Sequence, residues 1–130
     1  IDLKLNGSVR LLGFRNDIPE LLNISNCFLL SSLSEGLSCS IIEAMAAGLP
    51  SIVTKVGGNP ELIEDGKQGY LVPSSNPSAL AAQMKKIYDD TDARKKMAVC
   101  ARRTAIEQFS MDSMIRGYIS LYRQMVKVKG

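Results

Sequence analysis

Two glutamates stand eight positions apart in the sequence, and their surroundings favour the binding of a phosphorylated polyol. Glu35 lies in a short turn after the apolar run 27–30, and Glu43 lies in the first turn of a predicted helix that begins at Ser40. A strand, a Gly-containing turn and a helix N-terminus form a common anion site, because the first N–H groups of a helix have no partner inside it. Carboxylates beside such a site can accept hydrogen bonds from hydroxyl groups. Phosphate together with several hydroxyls is the chemical outline of a nucleotide sugar.

Backbone amides at the start of this predicted helix are the candidate phosphate ligands. Ser38, Cys39 and Ser40 would present these amides, which carry the partial positive charge of a helix N-terminus. Their small side chains would let a phosphate approach closely. Gly36 would let the turn adopt φ values that other residues avoid.

Other interpretations of the two carboxylates stay open at this point. Ser40 and Glu43 fit a capping box, in which Glu43 bonds only the Ser40 backbone. Glu35 also fits an exposed turn carboxylate. Paired carboxylates occur in glycoside hydrolases as well, although their position around a helix N-terminus favours a ligand that carries phosphate.

Composition narrows the classes of function. The 130 residues suffice for one domain with its own core, and 45% of them are hydrophobic and 22% charged. The chain has no histidine, which removes the commonest general base and any His-based metal site. No Gly-x-Gly-x-x-Gly follows a predicted strand, so a dinucleotide oxidoreductase is not expected.

Charge is distributed unevenly along the chain. Residues 85–130 carry eleven basic and five acidic side chains, against five basic and eight acidic side chains in residues 1–84. Solvated faces of amphipathic helices explain such a bias, and an anionic membrane or an acidic partner is the alternative. The few aromatic residues do not alternate regularly with the basic ones, so no nucleic-acid partner is expected.

The elements that must position the candidate residues alternate between strand and helix. The apolar runs predict strands at 8–12, 27–30, 51–54 and 69–73. The continuous apolar run at 27–30 is typical of a strand covered on both faces, and Pro73 indicates that the last strand lies at a sheet edge. Helical periodicity, caps and prolines predict helices at 17–22, 40–47, 60–64, 78–89 and 91–109, and a last helix capped by Ser110. This alternation predicts an α/β fold with a Rossmann-like, doubly wound parallel sheet and a C-terminal helical tail. The loops 13–17, 31–39 and 55–60 each follow a predicted strand, so they should gather at the edge where such sheets bind ligands.

Five segments together resemble a known family. They are SEGL at 34–37, IEAMAAGLP at 42–50, VGGNPELI at 56–63, Asp-Gly at 65–66 and GYLVP at 69–73. The set resembles the C-terminal domain of retaining glycosyltransferases of the GT-B fold, family 4, often called group 1. The resemblance runs from about residue 9 to residue 122.

The resemblance implies a role for each glutamate. Glu43 is similar to the residue that binds the ribose hydroxyls of the donor. Glu35 is similar to the catalytic-site glutamate that meets hydroxyls of the transferred sugar. The amides of Gly36 and Leu37 would then face the sugar, and those of Cys39 and Ser40 the phosphates.

Two further segments acquire roles from the same resemblance. Gly13, Phe14 and Arg15 match the turn that lines the nucleobase, and the Arg15 guanidinium could stack on the base. An exposed loop arginine is the alternative. The Gly57-Gly58 pair would shape the rim near the acceptor, or would be a plain turn.

The family's properties complete the expectation. They imply a nucleotide-sugar donor, an unidentified acceptor, no metal or other cofactor, and a cytoplasmic protein, with peripheral contact to the inner membrane face left open. Residues 1–130 would be the C-terminal nucleotide-sugar-binding domain without its first strand-helix-strand elements, and without the N-terminal acceptor domain. The cationic pair that meets the diphosphate would also be absent, so the 130-residue chain alone should be inactive. A nucleotide-sugar-binding or regulatory module is the alternative function, and a sugar-nucleotide epimerase is disfavoured by the lack of histidine.

Overall fold

The computed structural model describes residue 5 and residues 7–127. In that part, one parallel sheet has the order β1-β2-β3, with β1 at Phe28–Leu30, β2 at Ser51–Thr54 and β3 at Gly69–Val72. The helices are α1 (Ile18–Asn23), α2 (Cys39–Ala46), α3 (Asn59–Leu62), α4 (Pro77–Asp89), α5 (Thr91–Gln108) and α6 (Met111–Lys127). A helix follows each strand, so the carboxyl ends of the strands meet at one edge of the sheet.

The core lies on both faces of the central strand. Val53 of β2 packs on one face in a cluster that includes Ile41 of α2 and Ala101 of α5. Its neighbour Ile52 points to the opposite face, in a cluster that includes Ile87 of α4. Successive strand residues point to opposite faces, so burial of both requires helices on both sides. The predicted doubly wound α/β arrangement is therefore confirmed.

The predicted first strand, 8–12, is wrong. This segment has no regular structure, and Val9, Leu11 and Leu12 are 56%, 96% and 51% exposed. A strand needs a neighbour for its backbone N–H and C=O groups, and no strand among the described residues pairs with this segment. An apolar run alone therefore did not suffice to form a strand here.

The remaining elements differ from the predictions mainly at their ends. β3 lies at the sheet edge, as Pro73 predicted. α2 begins at Cys39, one residue before the predicted start, and α3 runs from Asn59 to Leu62. β1 is less covered than expected, since Leu29 is 37% exposed.

The last helix presents an apolar stripe to solvent. Its side chains at Ile115, Tyr118 and Tyr122 are 45%, 54% and 62% exposed. Ser110 Oγ accepts a hydrogen bond from Ser113 N, at 3.3 Å, which confirms the predicted cap. Among the described residues, no helix combines the length and apolar character that crossing a bilayer demands.

Candidate functional site

Residues 31–38 join the carboxyl end of β1 to α2 and form what we name the glutamate loop. Glu35 is half-buried in this loop, and its Oε1 accepts a hydrogen bond of 2.6 Å from Ser32 Oγ. A contact this short is typical of a hydroxyl that donates to an ionised carboxylate. Ser32, a residue of the same loop, thus holds the Glu35 carboxylate, which is not left free in solvent.

The N-terminus of α2 follows the loop and has unused hydrogen-bond donors. Ser38 is the N-cap residue, yet its side chain makes no capping hydrogen bond. Instead, Ser38 Oγ and Ser40 Oγ lie 2.9 Å apart. Among the described residues, the amide of Cys39 has no backbone acceptor, as expected for the first turn of a helix. This end of α2 therefore offers N–H groups and the positive end of a dipole to an anion.

Glu43 lies in the second turn of α2, not in the first as predicted. The helix begins at Cys39, so Ser40 and Glu43 are both inside it and the capping box is not formed. Glu43 is exposed, and its carboxylate makes no hydrogen bond with the described residues. It lines a groove of about 450 Å³ whose other residues come from α1, from α2 and its C-cap, and from α5: Ile18, Pro19, Leu22, Asn23, Ala46, Ala47 and Arg102. The carboxylate is thus available to a ligand.

A second loop, residues 55–58, follows β2 and packs directly on the glutamate loop; we name it the glycine turn. Gly58 N donates to Gly36 O at 3.0 Å. Gly57 has a φ of +51°, and a Cβ on it would lie 1.8 Å from Glu35 O. The positive φ expected at Gly36 is therefore found at Gly57. The close approach of the two backbones requires glycine at position 57.

The segment Gly13–Arg15 stands apart from these contacts. Phe14 is 91% exposed, and Arg15 donates through Nε and Nη2 to the two carboxylate oxygens of Asp17, with 2.7 Å between Nε and Oδ1. This ion pair holds the pKa of the Asp17 carboxyl below its usual value. The structure brings Ile18 and Pro19, not Gly13–Arg15, to the groove of Glu43. The contact of these residues with a nucleobase stays a prediction.

The sequence did not single out the side chains that fix the glutamate loop. Thr54 Oγ1 donates to Ser32 O at 2.7 Å, and Asn59 Nδ2 donates to Thr54 O at 2.9 Å. The only available indication was that hydroxyl residues follow β1 and end β2. Contacts between residues 22 positions apart depend on strand register, which the local pattern did not supply.

Comparison with known proteins assigns the chain to a family. Residues 1–104 match the family described as Glycosyl transferases group 1. The chain belongs to this family. The matched region includes the glutamate loop, the glycine turn and Glu43, so the whole candidate site lies within it.

Several solved structures share this fold, among them one of a group 1 glycosyltransferase. Alr3699/HepE of Anabaena in complex with UDP is 29% identical, with a TM-score of 0.88 over 93% of this chain and 34% of that chain. The same protein has been solved with UDP-glucose. The C-terminal domain of the group 1 glycosyltransferase LpcC of Francisella tularensis is 26% identical, with a TM-score of 0.71 over 79% of this chain and 53% of that chain. The α/β architecture is thus that of the C-terminal domain of GT-B glycosyltransferases, as predicted.

A curated relative shows how much of such proteins the chain covers. The N-acetyl-alpha-D-glucosaminyl L-malate synthase of Bacillus anthracis is 32% identical over 97% of this chain and 33% of its own length. The chain therefore spans about a third of the length of the curated relatives it matches.

Proposed function

We propose that this chain is the donor-binding part of an enzyme that transfers a sugar from a nucleoside-diphosphate sugar to an acceptor, with retention of the anomeric configuration. The observation that carries the proposal is the uncapped N-terminus of α2, which follows the held carboxylate of Glu35 and precedes the free carboxylate of Glu43 along the chain. The UDP and UDP-glucose complexes of a similar protein support a nucleotide-sugar ligand.

Each part of the donor has a candidate partner. Glu43 accepts hydrogen bonds from the ribose hydroxyls, because its carboxylate is exposed and borders a groove of the right scale for part of a nucleoside. The amides of Cys39 and Ser40 bind the diphosphate. Glu35, next to this helix end, accepts hydrogen bonds from hydroxyls of the transferred sugar.

The chemical step uses the same arrangement. The bond between the anomeric carbon and the phosphate oxygen breaks, and a bond to the acceptor oxygen forms on the same face of the sugar. The leaving phosphate takes the proton of the acceptor hydroxyl. Negative charge grows on the diphosphate during this step, and preorganised N–H groups at the start of α2 stabilise it. The proposal requires no metal ion.

The proposal extends to the whole protein. Residues 1–130 are part of a C-terminal donor domain, and they are inactive without the acceptor domain. Glu35 and Glu43 would supply the contacts to the sugar and the ribose, whereas the cationic residues expected to meet the diphosphate are not among the matched motifs. The protein works in the cytoplasm, and the basic helices α5 and α6 lie near the inner membrane face, which their excess of positive charge would favour.

Separation of binding from transfer tests the proposal. The complete protein is titrated calorimetrically with a panel of nucleoside diphosphates and nucleotide sugars, and transfer is measured with the donor that binds. Glu43→Ala should weaken binding of every nucleotide in the panel. Glu35→Ala should lower kcat about 100-fold while nucleotide affinity stays within twofold, because only the sugar is released from its position. Unchanged transfer by Glu35→Ala, or unchanged nucleotide affinity of Glu43→Ala, would contradict these assignments.

A further inference from the structure

Glu35 is held by a chain of two hydrogen bonds that leads back to the sheet. Its Oε1 accepts a bond of 2.6 Å from Ser32 Oγ. The carbonyl oxygen of Ser32 accepts in turn from Thr54 Oγ1, at 2.7 Å. Ser32 therefore forms two hydrogen bonds: its side chain donates to the Glu35 carboxylate, and its carbonyl oxygen accepts from Thr54 of β2.

Thr54 is more buried than Ser32 and Glu35, the two residues whose position depends on it. It ends β2 and is 3% exposed, and its carbonyl oxygen accepts from Asn59 Nδ2 at 2.9 Å. Asn59 is fully buried at the start of α3. Thr54 also pairs with Val72 in the parallel register of β2 and β3. Thr54 thus transmits the position of the sheet to a loop that has no regular structure of its own.

The glycine turn limits movement from the other side. Gly58 N donates to Gly36 O at 3.0 Å, next to Glu35 in the chain. Thr54 and Asn59 flank this turn and are bonded to each other, and Thr54 also donates to the Ser32 backbone. Glu35 is held through its side chain by Ser32 and through its backbone by the turn.

We infer that Ser32 and Thr54 are positioning residues that set the orientation of the Glu35 carboxylate toward the transferred sugar. The inference rests on the proposed function of Glu35. An unconstrained carboxylate in a turn would sample several rotamers, and a hydroxyl that binds one oxygen leaves the other to meet the sugar. Loss of either hydroxyl should lower the population of the productive orientation, and with it the rate of transfer rather than nucleotide affinity.

The test is a set of matched variants in the complete transferase. Thr54→Val keeps the shape of the side chain and removes the hydroxyl, and Thr54→Ser keeps the hydroxyl. Thr54→Val and Ser32→Ala should each lower kcat about 10-fold to 100-fold, with the affinity for the nucleoside diphosphate within twofold of wild type. Thr54→Ser should restore most of the lost rate. Ser34→Ala is the control, because Ser34 is exposed in the same loop and its hydroxyl makes no hydrogen bond with the described residues.

A double-mutant cycle separates positioning from general damage to the fold. If Ser32 acts through Glu35, Ser32→Ala should lower kcat much less in a Glu35→Ala background than in the wild type. An equal reduction in both backgrounds would overturn the inference, as would a Thr54→Val enzyme with wild-type kcat. Failure of the proposed function looks different, because Glu35→Ala alone would then leave transfer unchanged.

Discussion

The contact between the glycine turn and the glutamate loop gives the sharpest structural prediction. In Gly57→Ala the new Cβ would lie 1.8 Å from Glu35 O, whereas an ordinary contact begins at 3.4 Å. One of the two backbones must therefore move by about 1.6 Å, the difference between these two distances. Alanine at a φ of +51° also costs about 1–2 kcal/mol, because its Cβ approaches the following carbonyl oxygen.

Gly66→Ala is the matched control for this variant. Gly66 has a φ of +82°, but a Cβ there would meet no atom within 4 Å. Both variants should lose about 1–2 kcal/mol of stability from backbone strain alone. Only Gly57→Ala should also shift the peptide of Glu35, and misplacement of a reacting group by about 1 Å lowers a rate by about 100-fold.

The assay compares the two variants in the complete protein, with thermal unfolding and steady-state transfer measured side by side. We expect a lower Tm in both and a large loss of kcat only in Gly57→Ala. Equal kcat values for Gly57→Ala and Gly66→Ala would refute the claim that the glycine turn sets the position of Glu35. A Gly57→Ala protein with full activity would refute it as well.

Three other predictions concern the thiols, the core and metal ions. Cys39 is exposed at the start of α2, whereas burial raises the pKa of the Cys27 thiol to about 11. Iodoacetamide at pH 8 should therefore label Cys39 before Cys27, as followed by mass spectrometry. A bound nucleoside diphosphate should slow the labelling of Cys39. Ile41 is 0% exposed, so Ile41→Ala should lower the free energy of unfolding, measured by denaturant titration, by about 2–5 kcal/mol. Ile106 is 57% exposed, so the control Ile106→Ala should change that free energy by less than about 1 kcal/mol. Removal of divalent metal by EDTA should leave the rate of transfer unchanged, and a loss restored by Mg²⁺ would contradict the metal-free mechanism.

Local pattern predicted most of the fold, because the relevant interactions are close in sequence. The strand at 51–54 was predicted with its observed ends because a short apolar run between Pro50 and the glycine turn has few alternatives. The cap of α6 was likewise predicted from Ser110. The segment 8–12 failed because strand formation depends on a neighbouring strand, which a local pattern does not reveal.

The site was predicted in part. Its position followed from the spacing of Glu35 and Glu43, but the two carboxylates differ in ways that the sequence did not indicate. Ser32 binds the first, and the second is free because α2 begins two residues earlier than a capping box of Ser40 and Glu43 requires. The contact from Thr54 to Ser32 joins the end of β2 to the glutamate loop and needs the register of the sheet, so only the structure reveals it.

The central claim is that Glu43 recognises the ribose of a nucleotide bound at the N-terminus of α2. Calorimetry of the complete protein tests it directly, with the preferred nucleoside diphosphate and its 2′,3′-dideoxy analogue, on wild type, Glu43→Ala and the control Glu61→Ala. Wild type and Glu61→Ala should bind the analogue about 10-fold to 150-fold more weakly than they bind the nucleoside diphosphate. This range corresponds to the loss of a hydrogen bond to a charged group. Glu43→Ala should bind the two nucleotides with nearly equal affinity. A full preference for the ribonucleotide in Glu43→Ala would contradict the account.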